Sequence, residues 1–181
     1  MSTAAAALTT WSIDASHSEV GFSVKHLMIS AVRGRFAGVQ GTVSFSEGDF
    51  ANASASVTID AASIDTREEK RDAHLRSADF FDVERFPTLT FTSRRVDRVS
   101  GDTFHLVGDL TIRDITKEVT LDVEFEGAQK DPWGNLKSGF TASTRINRKD
   151  FGLTWNATLE TGGVLVGEEV KISLDVQLLR A

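Results

Sequence analysis

Between Glu118 and Phe125 the chain alternates without a break: Val119, Leu121, Val123 and Phe125 are apolar, and Glu118, Thr120, Asp122 and Glu124 between them are polar. A period of two puts one set on each face of an extended chain, so this stretch predicts a half-buried β-strand. The rhythm recurs. Val20, Phe22, Val24 and His26 share a parity, as do Ala53, Ala55, Val57 and Ile59, then Leu89 and Phe91, then Phe104, Leu106, Leu110 and Ile112. Phe140, Ala142 and Ile146 follow, and Val170, Ile172, Leu174, Val176 and Leu178 close the series. In Arg33–Ser46 the apolar parity switches near Ala37 and Gly38, from Gly34 and Phe36 to Val39, Gly41, Val43 and Phe45, which predicts a β-bulge or a barrel corner there.

Turn formers divide these runs at Ser100-Gly101-Asp102, Arg113–Thr116 and Asp131-Pro132-Trp133-Gly134-Asn135, so successive strands are expected to be antiparallel. The fold expected is all-β: an antiparallel barrel of about eight strands, closed because closure removes exposed edges. With 181 residues the chain has length for one core. One segment breaks the rhythm. Residues 63–75 are rich in helix formers and lack Pro and Gly, and Thr66 and Glu69 have capping-box spacing, so a short helical insertion near 66–82 is expected, with Thr66 as N-cap and its charges forming a solvated outer face.

Composition removes several function classes. There is no cysteine, hence no disulfide scaffold, thiolate metal site or cysteine nucleophile. Lys and Arg number 20 against 26 Asp and Glu, a net charge of −6 that argues against nucleic acid as a partner. No long apolar run marks a membrane span, and Met1–Thr10 hold no Lys or Arg and no sustained run of large apolar residues, so a secretory signal is not expected. Twelve Phe and three Trp without any Tyr supply apolar area and few hydroxyl groups, which suits a greasy interior. No Gly-x-Ser-x-Gly elbow and no convergent His cluster appears, so neither a serine hydrolase nor a metal site is expected.

The order Trp11-Ser12-Ile13-Asp14, His17-Ser18, Val20–His26 and Gly34-Arg35-Phe36 resembles the opening of the YceI-like family of lipid-binding proteins. The resemblance continues through Ser63–Thr66, Arg71–Leu75, Asp79–Val83, Phe86-Pro87, Phe91-Thr92-Ser93, Gly108–Ile112, Thr116-Lys117, Gly139-Phe140, Arg148–Gly152 and Val166–Val170. Asp114 and Glu118 depart from it, standing where the family pattern places Gly and Pro, a change confined to one surface hairpin. The resemblance implies a flexible stretch at 1–10, a single lipocalin-like barrel domain over 11–181, and an elongated apolar pocket. Its implied ligand is a long isoprenoid chain, an isoprenoid quinone or a fatty amide, bound without catalysis and without a cofactor. Homodimers are a further implication, and with no signal segment the expected location is cytoplasmic.

Inward alternation looks the same whether side chains fill a barrel or line a cavity, so periodicity alone leaves both open. With the resemblance, the expected walls are Phe22, Val24, Phe36, Phe45, Phe91, Leu106, Val123 and Phe140, with Phe81, Phe86, Phe151 and Trp155 nearer an opening. His17, His26, Arg148 and Asn156 are the candidate head-group contacts, and residues 65–87 form a candidate lid. Two other readings stay open: an enzyme acting on a bound isoprenoid with His17 or His26 as general base, and an interaction protein with a filled barrel.

Overall fold

A computed structural model of the protein describes residues 7–160 and 162–180. Eleven strands run in chain order: β1 (Thr9–Ile13), β2 (Glu19–His26), β3 (Ser30–Phe36), β4 (Val39–Ser46), β5 (Asp49–Asp60), β6 (Ile64–Asp65), β7 (Thr88–Ser100), β8 (Thr103–Ile112), β9 (Ile115–Lys130), β10 (Leu136–Asn147) and β11 (Val166–Arg180). They make only eight staves. β11 pairs with β1 through Leu178–Arg180 and with β2 through Val166–Asp175, so β1 and β2 are two halves of one stave. β3 and β4 halve the next stave, pairing with β2 and β1 respectively, and β5 and β6 halve the third, pairing with β4 and β3. β7 to β11 are single staves, every pairing is antiparallel, and the β1–β11 ladder closes the ring. The result is the expected closed eight-stave antiparallel barrel.

The parity switch at Ala37 and Gly38 is a barrel corner. Phe36 and Val39 both point inward and are buried, three positions apart. The corner is tied down by the Gly38 N–H donating to Ser63 Oγ (3.0 Å) and by the Asp60 N–H donating to the Gly38 carbonyl (2.7 Å). A Cβ on Gly38 would lie 2.7 Å from that of Asp60, so the close approach requires glycine.

The helical insertion is α1 (Glu69–Arg76), shorter than expected. Glu68 caps it, its carboxylate accepting from the Lys70 and Arg71 N–H groups. Thr66 is not the cap, because the chain turns at Arg67 in a left-handed conformation (φ 64°) before the helix begins. Thr66 is buried and donates from N–H and Oγ1 to Asp72 Oδ1, while Arg71 Nε and Nη2 donate 2.7 Å bonds to Thr66 Oγ1 and to its carbonyl. The expected solvated face is therefore partly wrong: Asp72 is buried inside this network. With Ala73 and Leu75 as its apolar residues, the helix relies on such bonds, including two from Arg76 to the Ala62 and Ile64 carbonyls, to stay on the barrel.

Strand pairing starts at Thr9, two residues before the expected domain boundary, and residues 1–6 of the expected flexible stretch lie outside the described residues. Among the described residues no helix is long and apolar enough to cross a membrane.

Candidate functional site

The barrel is not filled. A cavity of about 480 Å³ runs along its interior, within the range of about 300–1,000 Å³ usual for ligand sites. Its walls are the inward parities: Val20, Phe22 and Val24 of β2, Ala53 to Ile59 of β5, Leu106 and Leu110 of β8, Leu121 and Val123 of β9, and Val170 to Leu178 of β11. Phe22 is seated flat by a missing side chain, since a Cβ on Gly34 across the ladder would stand 2.4 Å from its ring. Glycine at that position keeps an aromatic ring against the wall and out of the lumen.

One end is sealed. Phe45, Phe50, Phe104, Phe125 and Phe140 form a floor of rings, with Phe50 stacked on Phe104 at 5.2 Å and Phe45 edge-on to Phe140 at 5.1 Å, and Trp11 stacks on Phe45 at 5.3 Å. Such ring pairs add to the area they bury.

The other end is bordered by α1, the β2–β3 hairpin and the loop 153–165. His74 of α1 stands edge-on to Trp155 at 4.6 Å and to Phe80 at 5.1 Å, and its Nε2 lies 2.9 Å from Asp79 Oδ2. Every charged side chain that lines the cavity is basic: Lys25, Lys70, Arg71 and Arg148, joined by His26 and His74, with no carboxylate among them. Among the described residues, the Lys70 ammonium and the His26 imidazole carry no hydrogen bond or ion pair, which leaves them as donors at the rim.

Of the expected wall residues, Phe22, Val24, Phe36, Phe45, Phe81, Phe91, Leu106, Val123, Phe140 and Trp155 line the cavity. Phe86 does not: it lies outside, beneath the guanidinium groups of Arg85 (5.0 Å) and Arg113 (5.6 Å). Phe151 also misses it. The β9–β10 ladder ends at Ser143 and Asp122, and Phe151, fully buried on the 3₁₀ turn Arg148–Phe151, borders a second hollow of about 330 Å³ between the separated strand ends.

Of the four candidate head-group contacts, His26 and Arg148 border the cavity. Arg148 is 3% exposed and spends four N–H groups on backbone carbonyls: Nε to Gly167 (2.7 Å), Nη1 to Leu153 (2.6 Å) and Trp155 (2.9 Å), and Nη2 to Val166 (3.2 Å). Burial pulls its guanidinium below the usual arginine pKa, and Glu168 nearby opposes that shift. It is the clamp of the rim loop. Asn156 is a second clamp, its Nδ2 donating to the Val166 carbonyl (2.7 Å) and its Oδ1 accepting from the Val166 N–H (3.0 Å), and it does not line the cavity. His17 lies outside on the 3₁₀ corner between β1 and β2, its Nδ1 2.9 Å from Asp14 Oδ2, because that turn faces solvent. Lys70, Arg71 and His74, which line the rim, were not among the candidate contacts. Their only signal was membership of the segment that interrupts the strands.

The family model described as the YceI-like domain matches residues 11–178. A UPF0312 protein of Staphylococcus aureus (strain MSSA476) is 40% identical over 171 residues, covering 94% of this chain and 97% of its own length. The crystal structure of Burkholderia cenocepacia BcnA is similar, with a TM-score of 0.79 and 25% identity over 91% of this chain and 98% of that one. The Campylobacter jejuni YCEI protein is 30% identical, with a TM-score of 0.72, over 87% of this chain and 90% of its own. A polyisoprenoid binding domain from Saccharophagus degradans, implicated in plant cell wall breakdown, shares the fold at a TM-score of 0.69 and 15% identity, over 96% of this chain and 99% of that one. With the family model spanning nearly the whole chain and this barrel around its apolar tube, the chain belongs to the YceI-like family.

Proposed function

We propose that this protein binds a long apolar lipid inside its barrel and carries or stores it without chemical change, the ligand being a polyisoprenoid, an isoprenoid quinone or a fatty amide. The observation that carries the reading is the shape of the cavity: a tube with apolar walls, sealed by phenylalanine rings at one end and open beside basic residues at the other. Each methylene moved from water into such a tube is worth about 0.8 kcal/mol, so chain length is the main source of affinity. At the rim, Lys70 and His26 offer donors that suit an electron-rich head such as a quinone or amide oxygen. The fold shared with a domain named for polyisoprenoid binding supports the same ligand class. Neither histidine weighed as a general base is placed for that role: His17 is outside the barrel, and the His26 side chain has no orienting partner among the described residues.

Mass spectrometry of an organic extract of the purified protein, beside an unrelated protein prepared in parallel, tests this. A stoichiometric long-chain lipid is the expected result, with a reduced amount in Gly34→Ala, where the added methyl pushes the Phe22 ring into the lumen. An extract matching the control, together with no uptake of added long-chain quinone, overturns the reading.

A further inference from the structure

The β2–β3 hairpin ends in a turn that is costly in two ways. His26–Ile29 closes with the Ile29 N–H donating to the His26 carbonyl (3.2 Å), and both central residues are left-handed, Leu27 at φ 54° and Met28 at φ 64°. That is the backbone of a type I′ turn, normally built from Asn and Gly because larger side chains are strained there. Here it holds two large apolar residues. They are also in water: Leu27 is 39% exposed, Met28 61% and Ile29 82%.

This tip stands at the open end of the cavity. The Leu27 N–H donates to the Leu165 carbonyl (2.8 Å), Met28 Cγ lies 3.8 Å from where a Cβ of Gly163 would be, and His26 and Leu165 both line the cavity. Trp133, 83% exposed at the sealed end, is by contrast a lone aromatic on a polar turn, a common surface feature.

The charge around the tip is one-sided. From Val20 to Ser46 there is no acid, in a chain of net charge −6, and the hairpin carries Lys25, Arg33 and Arg35. Arg35 is paired with Glu19 and Asp65. Lys25 and Arg33 are exposed and without an ion pair among the described residues, and Lys70 stands free across the rim. Glu168 and Glu169, at the start of β11, are taken up by Lys149 (2.7 Å) and Arg145 (3.2 Å), while Glu69 and Glu160 are the uncompensated acids of α1 and the rim loop.

We infer that the open end of the barrel docks on an anionic lipid bilayer, with Leu27, Met28 and Ile29 inserted among the lipids and Lys25, Arg33 and Lys70 against the headgroups. Apolar residues that sit in water at a strained turn, flanked by free cations, are placed for an interface with both characters. Docking there sets the cavity mouth against the membrane, so that an apolar ligand passes between the two without crossing water. Leu27, Met28, Ile29 and Arg33 do not line the cavity, so variants at these positions separate vesicle binding from lipid content, whereas Lys25 and Lys70 border both.

The test is co-sedimentation of the purified protein with vesicles of phosphatidylcholine, alone or mixed with phosphatidylglycerol. Binding is expected to the mixed vesicles, weakening with salt and falling about fivefold for each of Lys25→Gln and Arg33→Gln. Ile29→Glu is expected to lose about tenfold or more, keeping its thermal midpoint and its extracted lipid. The decisive variant combines Leu27→Asn with Met28→Gly: it relieves the turn, so the thermal midpoint rises while vesicle binding falls. The inference is overturned if Ile29→Glu binds as the native protein does, if Trp133→Ala loses as much, if neither vesicle is bound, or if Ile29→Glu changes the mass in solution, which assigns the tip to a second copy of the chain.

Discussion

The two ends of the barrel are built by different physics. At the sealed end the strands run on through bulges at Ser44/Ser46 and Gly139/Phe140, and five phenylalanines with Trp11 close the tube by apolar contact. At the open end the chain leaves the strands, and its polar backbone is satisfied by a few side chains: Arg148 on four carbonyls, Asn156 across the rim loop, and the Thr66, Arg71 and Asp72 network under α1. A floor made of area is hard to open a little. A rim made of hydrogen bonds can part locally and re-form, because water supplies substitute partners as the bonds break.

The contrast can be broken at either end. Phe50 is fully buried at the centre of the ring cluster, so Phe50→Ala is expected to cost about 3–5 kcal/mol, read as a lowered midpoint in denaturant with the whole barrel unfolding together. A smaller effect confined to the β4–β5 hairpin would mean that the floor is a local cap. Arg148→Met should be milder in scale and different in kind, about 3 kcal/mol of local stability, seen as faster hydrogen exchange across residues 153–167 while the floor strands stay protected. Uniform acceleration would show that the rim and the floor are one cooperative unit.

The smallest effect is expected at the outer corner. Asp14 accepts from the Ser16 hydroxyl first, then from His17, with Lys137 Nζ at 3.2 Å, and these bonds hold its carboxyl well below its ordinary pKa of 3.8. A carboxyl depressed in the folded state stabilises fully above its ordinary pKa and loses that contribution as the pH falls below it. Asp14→Asn should therefore be less stable than the native protein at neutral pH, with the gap closing on acidification below about pH 4. Melting curves of both proteins from pH 7 to pH 3 check this, and a gap independent of pH would assign the effect to lost hydrogen-bond geometry.

The same division explains what could be read from the sequence. The wall positions Phe22, Val24, Phe91, Leu106, Val123 and Phe140 were legible because in a strand parity decides facing, and burial rewards one parity. Val57, Ile59, Ile172 and Leu174 carried the same signal and line the cavity equally. Parity carries nothing through a turn. Phe86 and Phe151 share the composition of wall residues but stand on irregular backbone, and their facing depends on a pair of guanidinium groups and on the separation of β9 from β10. Arg148 was expected as a head-group contact, and its place as a buried clamp depends on carbonyls up to nineteen positions away. His17 was placed by motif, yet Asp14 three residues earlier draws it onto the outside of its corner.

A tube closed at one end also imposes an order of events. A chain-like guest can advance only tail-first, and its head is the last part to arrive and the first to leave. Whatever receives the guest therefore meets the head before the tail, and the tail is withdrawn along a fixed track. Under the proposed carrier role, the ring floor would give transfer a direction as well as the barrel a bottom, and the guest's length, measured from rim to floor, would decide whether the head sits inside the rim or stands proud of it.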